Sequence, residues 1–245
     1  MKINIDRLMS RICNYDDFSE VITIARASAY GPLFLVGGKL YRTIVEMTHG
    51  YDCGAALADW DFLVLGSVKP PTLGNINNPY THKNWVVKSL PSYQHGSWAN
   101  FKANSVTLLK NGLVASLMSR RVPIRTTADK IDIIAIDDIA KGGGLSDYFK
   151  VVPLDIQQLA LDIENTTPAL LGAEALNAID KRAIRINNAQ GALPNLDISS
   201  YLADKAKSLN FTYEGQVVNQ TACNCYPNDI KALFRWGCQF PKEHI

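Results

Sequence analysis

The 245-residue chain has no apolar run of the roughly 18 residues that a membrane-spanning helix needs. Its first residues, Met1-Lys2-Ile3-Asn4-Ile5-Asp6, have neither the apolar core of a secretion signal nor the Arg- and Ser-rich character of a transit peptide. There is no excess of charge of either sign. Twenty-five Lys and Arg against 23 Asp and Glu give a formal net charge of +2, which excludes polyanion binding by bulk electrostatics and requires a local patch for any such partner. Cysteine is scarce and odd in number: Cys13, Cys53, Cys223, Cys225 and Cys238 argue against a disulfide framework. No internal repeat or low-complexity tract is present. With 47% hydrophobic and 20% charged residues the chain is not disordered, and its length suits one large domain or a domain plus an appendage. The expectation is a soluble, cytoplasmic protein without a membrane partner.

What is present is an alternation of helix and strand signals. Asp16 to Ala29 has helical spacing with acids at its start. Leu33-Phe34-Leu35-Val36 is a short apolar run bounded by Gly37-Gly38 and reads as a buried strand. Lys39 to Thr48 places Leu40, Ile44, Val45 and Met47 on one helix side and ends near His49-Gly50. Asp59 to Gly66 is a second strand. From Ser67 to Asn104 a Pro-, Asn- and aromatic-rich stretch is long enough to be functional rather than inert. Val106 to Leu109, Leu113 to Leu117 and Lys130 to Ile136 read as strands, two of them joined at Lys110-Asn111-Gly112, and extend the sheet in antiparallel fashion. Gly142-Gly143-Gly144 breaks any helix between Asp138 and Tyr148. Beyond Val151 the pattern is mainly helical, at Ile156 to Ile163, Gly172 to Ile179, Ile198 to Leu209 and Asp229 to Trp236. The fold class is α/β (α+β) with a mixed sheet, helices on one side, and a soft boundary separating residues 1–150 from a smaller helical part at 151–245.

Chemistry enters through a combination of weak signals. An apolar strand runs into Gly37-Gly38, a helix follows at once, and about twenty residues later Asp59 and Asp61 open another apolar strand. Alternate strand residues project from one face with Cα atoms about 6.5 Å apart, so Asp59 and Asp61 converge while Trp60 points the other way. Two carboxylates suit Mg²⁺, which takes oxygen ligands and leaves positions for substrate phosphates. Asp132, interrupting the apolar run Ile131 to Ile136, is a third carboxylate for a two-ion site; Asp137 and Asp138 compete with it, or cap the next helix. Gly37 and Gly38 offer backbone N–H groups to phosphate oxygens, and Lys39 and Arg42 follow with positive charge. These are the parts of a nucleotidyl-transfer site.

The stretch LFLVGGKLYR…ADWDFLVLG resembles the head domain of the tRNA CCA-adding enzymes and bacterial poly(A) polymerases, in the DNA polymerase β-like nucleotidyltransferase superfamily. Gly37, Gly38, Asp59 and Asp61 fall on that family's pattern, and Arg42 stands one residue later than its arginine. A looser similarity joins Ile156-Gln157-Gln158-Leu159-Ala160-Leu161-Asp162 and LLGAEALNAIDKRAIRINN to the family, with Val152-Pro153 where Arg-Asp is usual and Gln157 in place of asparagine. PNDIKALFRWGCQF is similar to its neck helix: Arg235 and Trp236 match, whereas Asp229 and Ala232 replace the arginines that choose between CTP and ATP.

The resemblance implies a nucleotidyltransferase head domain with a neck-like C-terminal part. It implies transfer of an NMP from an NTP (ATP or CTP) to an acceptor hydroxyl on an RNA 3′ end, a protein or a small molecule, with pyrophosphate released. Two Mg²⁺ ions, or Mn²⁺ in their place, are the implied cofactors. Asp59 and Asp61 bridge both, and Asp132 holds the nucleophile-side ion and is placed to accept its proton. The alternative is a catalytically inactive nucleotide-, RNA- or partner-binding protein on the same fold.

Other features have plainer readings. Cys223, Cys225, Cys238 and His244 have the atoms for zinc, yet the one-residue spacing of the first pair departs from the usual two to four. Gly142-Gly143-Gly144 lacks the Lys-Ser/Thr of a phosphate loop. His82, Trp85, Tyr93, His95, Trp98 and Phe101 fit either an insertion packed over the sheet or a stacking surface for a base. Arg120, Arg121 and Arg125 form a small basic cluster at a hairpin end.

Overall fold

In a computed structural model, which describes residues 1–68, 85–89, 103–110, 130–136, 144–165, 168–188 and 197–214, the chain opens on a helix not anticipated from the sequence. This is α1 (Ile5–Cys13), started by Asn4, whose side chain accepts from the Arg7 N–H at 2.9 Å. Only Leu8 and Ile12 of α1 are buried, so its apolar stripe is narrow. Helix α2 (Phe18–Ser28) follows and buries Val21, Ile22, Ile24 and Ala25. A two-residue strand β1 (Ala29–Tyr30) leads to β2 (Leu33–Val36), whose four apolar side chains are all buried, as a central strand requires. Without an intervening loop β2 becomes α3 (Gly37–His49), closed by Gly50 in the left-handed conformation.

Strand β3 (Trp60–Leu65) returns antiparallel to β2, pairing Val36 with Asp61, and β4 (Ser67–Val68) pairs with β1. The long Pro/Asn-rich stretch contributes β5 (Trp85–Ser89), and β6 (Ala103–Lys110) and β7 (Lys130–Ile136) follow. Helix α4 (Leu145–Val151) begins where the expected interruption ends, with Gly144 as its N-cap. A 3₁₀ turn (Asp155–Gln157), β8 (Ala160–Asp162), β9 (Leu170–Leu171), α5 (Ala173–Lys181), β10 (Ala183–Arg185), α6 (Ile198–Leu209) and β11 (Thr212–Glu214) complete the described elements. The expected strand at 113–117, the Asn111-Gly112 turn and the expected helix at 229–236 lie outside the described residues.

The main sheet has seven strands in the order β5-β6-β7-β3-β2-β8-β9. Only β3 and β7 run parallel; every other neighbouring pair in it is antiparallel. This is the mixed α/β sheet expected. One correction concerns Ile156 to Ile163, read as a helix: it forms the 3₁₀ turn and then β8, which pairs with β2 through Phe34↔Asp162 and Leu35↔Leu161. Its apolar residues satisfied helical spacing, but the open edge of β2 offered ladder hydrogen bonds that a helix could not supply.

Alternation along the strands divides the core in two. Leu33, Leu35, Trp60, Phe62, Val64, Ile131 and Ile133 face the larger cluster, covered by α1, α2, α3, α5 and α6. Phe34, Val36 and Leu63 face the other way, against Tyr148 and Val152 at α4. Among the described residues, five helices thus cover one face and α4 lies on the other. Residues on both sides of position 150 share one sheet and one core.

Candidate active site

The carboxylates collect on the α4 face of the sheet. Asp61 and Asp132 are register partners across the parallel β3–β7 pair, so their side chains lie side by side on adjacent strands. Asp59 precedes β3 by one residue and joins them. Ligand oxygens of all three lie within 4.8 Å of one another, with Asp61 7% exposed, Asp132 2% exposed and Asp59 partly buried. Two unit negative charges at such a separation repel by about 3–4 kcal/mol at an effective dielectric constant near 20. The donor set is all oxygen, without nitrogen or sulfur, and that chemistry fits a hard divalent cation such as Mg²⁺ or Mn²⁺.

The other side of β3 fixes where the acids point. Trp60 is fully buried, stacks on Phe62 (centroids 6.2 Å apart), meets Tyr15 edge-on at 5.9 Å, and donates its indole N–H to Asp17 Oδ2 at 2.7 Å. A one-residue slip of β3 would bury Asp61 in this aromatic cluster, so packing holds the register.

The Gly-Gly turn is pressed against Asp61. Gly37 has φ +72°, and a Cβ there would lie 2.0 Å from Asp61 Oδ2; only glycine fits. The Gly38 N–H donates to the same oxygen at 3.3 Å and orients the carboxylate. A Cβ on Gly38 would find ordinary contacts at 3.7 Å and beyond.

Lys39 and Arg42, expected beside a triphosphate, bond to protein groups in this structure. Lys39 is fully buried, its Nζ donating to Ala55 O (3.2 Å) and Ala56 O (3.1 Å) and lying 4.6 and 4.5 Å from the Tyr15 and Trp60 ring centroids. Burial pushes its pKa below the ordinary lysine value, with Asp17, Asp59 and Asp61 pulling the other way. Arg42 donates to Cys53 O and, at 2.9 Å, to Ser208 Oγ, tying α3 to the loop before Asp59 and to α6. Both cations therefore shape the loop that delivers Asp59.

One residue not singled out from the sequence borders Asp61. Tyr148 on α4 is buried, and burial together with the Asp61 charge drives its phenol far above the usual tyrosine range, so it stays a neutral hydroxyl. Gln157 donates to Tyr201 OH at 2.8 Å and accepts from the Leu154 N–H at 3.1 Å, joining the 3₁₀ turn to α6. No spacing rule marks Tyr148, since its place depends on how α4 packs against Phe34, Val36 and Leu63. Asp137, Asp138, Cys223, Cys225, Cys238, His244 and the Arg120, Arg121 and Arg125 cluster lie outside the described residues. Among the described residues no helix is long and apolar enough to cross a membrane.

No protein-family model matches the chain, and no curated protein sequence matches it. Among solved structures the fold is similar to a tRNA-processing enzyme with CTP (TM-score 0.39, 14% identity, 75% of this chain and 40% of that one). It is similar also to an apo form of a tRNA-processing enzyme (TM-score 0.38, 12% identity, 87% of this chain and 45% of that one). A third is a CCA-adding enzyme with CTP (TM-score 0.39, 10% identity, 75% of this chain and 37% of that one). The chain spans less than half the length of these proteins.

Proposed function

We propose that the protein is a metal-dependent nucleotidyltransferase that moves an NMP from an NTP to an acceptor hydroxyl and releases pyrophosphate. The observation that carries this reading is the Asp59, Asp61 and Asp132 cluster, three carboxylates within 4.8 Å at the mouth of a glycine turn. Convergent carboxylate oxygens are the donor set that hard divalent cations take. Asp59, Asp61 and Asp132 would hold divalent cations, which would supply Lewis acidity for an attacking hydroxyl and charge neutralisation for pyrophosphate. Asp132, beside Asp61 on the neighbouring strand, would be the residue to accept the acceptor's proton. The Gly38 N–H fixes Asp61, and the Trp60 cluster fixes β3, so the acids are positioned before substrate arrives.

Labelled ATP, CTP, GTP and UTP, each incubated with the protein, Mg²⁺ and either total RNA or protein acceptors, test this. Transfer of label by the wild type and its loss, by 100-fold or more, in Asp59→Ala and Asp61→Ala is expected. No transfer to any acceptor, or equal transfer by the variants, overturns the enzyme reading in favour of an inactive binding protein.

A further inference from the structure

The proposed reaction needs a cation for the nucleotide's polyphosphate, and the two suggested by the sequence are occupied elsewhere. Lys39 holds the Ala55 and Ala56 carbonyls, and Arg42 bridges Cys53 and Ser208. We propose that Lys205, carried in by α6, is the polyphosphate-binding cation of the site. This rests on the nucleotidyl-transfer reading above.

On α3, Gly38, Tyr41 and Arg42 share a stripe, because residues three and four apart are neighbours on a helix. On α6, Tyr201, Lys205 and Ser208 share another. The 2.9 Å bond from Arg42 to Ser208 sets the two stripes against each other. It leaves Lys205 Nζ 5.8 Å from the Tyr41 ring centroid and 5.4 Å from that of Tyr201. Tyr41 in turn flanks the glycine turn, as Asp59 does: its hydroxyl and Asp59 Oδ1 are each 3.8 Å from the point where a Cβ on Gly38 would lie. The sequence of neighbours is therefore Asp59, Gly38, Tyr41, Lys205. An ammonium stands one aromatic side chain away from the carboxylates, beyond the glycine turn.

Lys205 is only partly buried, and among the described residues no carboxylate forms an ion pair with it. Its ammonium lies beside the Tyr41 and Tyr201 rings, and an ammonium has three donor hydrogens, more than one aromatic neighbour can take up. A compact ammonium on a flexible stem suits non-bridging phosphate oxygens, and the Tyr41 hydroxyl is a second donor beside it. Metal ions on Asp59, Asp61 and Asp132 and Lys205 at the opposite end would together span a polyphosphate.

The test uses the full chain and inorganic tripolyphosphate, a probe without a base, with Mg²⁺ present. Calorimetry is expected to show binding by the wild type, at least tenfold weaker binding by Lys205→Met, and binding within threefold of wild type by Lys205→Arg. The penalty of Lys205→Met is expected to be large for ATP and CTP and small for AMP and CMP; a merely structural role would weaken all four alike. Mn²⁺ binding without nucleotide, followed by electron paramagnetic resonance, is expected to be the same in wild type and Lys205→Met. Undiminished tripolyphosphate binding by Lys205→Met overturns this assignment while leaving the acidic site standing. Absence of Mn²⁺ binding by the wild type overturns the nucleotidyl-transfer reading itself. If Lys205→Met loses its helical circular dichroism, Lys205→Gln replaces it under the same criteria.

Discussion

At the scale of single residues, the two glycines of the turn have different duties. Gly37 has a positive φ and stands where any side chain would meet Asp61, whereas Gly38 is helical and has room for a methyl group. Gly37→Ala combines backbone strain with displacement of a buried carboxylate, and is expected to cost roughly 2–4 kcal/mol and to abolish Mn²⁺ binding. Gly38→Ala is expected to lie within about 1 kcal/mol of wild type, because lost glycine flexibility offsets any crowding. Urea denaturation and Mn²⁺ titration of both variants check this, and equal effects would contradict the geometry. The acids were readable one residue at a time, since strand alternation alone places Asp59 and Asp61 together and turns Trp60 away. The engagements of Lys39 and Arg42 were not, because their partners sit on a loop, 50–59, whose path no local rule fixes.

At the scale of elements, what was readable depended on whether the partner was near in sequence. The succession of β2, glycine turn, α3 and β3 follows from apolar runs and punctuation, and its boundaries agree with those read from the sequence within two residues. β8 was misread because its identity is decided by β2, more than 120 residues earlier. α1 escaped notice because only Leu8 and Ile12 mark its buried stripe. One acid at the junction of such elements has a measurable consequence. Asp155, in the 3₁₀ turn, accepts the Ile156 N–H at 2.7 Å and the Arg185 N–H at 3.0 Å, fastening the turn to β10. Burial raises its pKa to about 6 despite those bonds. Between pH 4 and 6 the folded state therefore holds this proton more often than the unfolded chain, so stability falls as pH rises through that window. Asp155→Asn keeps an acceptor oxygen without the charge. It is expected to flatten that part of the stability profile and to add on the order of 1 kcal/mol at pH 7 after allowance for solvent screening. Urea midpoints at pH 4.5 and 7 measure the difference, and an unchanged pH slope would show that another group carries it.

At the scale of the whole molecule, the acidic cluster is a cost that the rest of the fold sustains. Asp61 and Asp132 occupy paired positions in the two central strands β3 and β7, between a large apolar core and α4. Their repulsion thus bears on global stability rather than on a mobile edge. A cation that binds only the folded chain must stabilise it by mass action, by about 2.7 kcal/mol at a concentration one hundred times its dissociation constant. For a chain of 245 residues each kcal/mol moves the unfolding midpoint by roughly 2–4 °C. Saturating Mg²⁺ or Mn²⁺ is therefore expected to raise the midpoint by about 5–10 °C over EDTA. Asp61→Asn should behave in the opposite sense, matching or exceeding the wild type in EDTA because one of three like charges is gone, and losing most of the gain with metal. Thermal scans of both proteins in both conditions decide the matter. A wild-type midpoint indifferent to divalent cations would mean that the three carboxylates serve no metal, and with it the nucleotidyl-transfer chemistry would lose its footing.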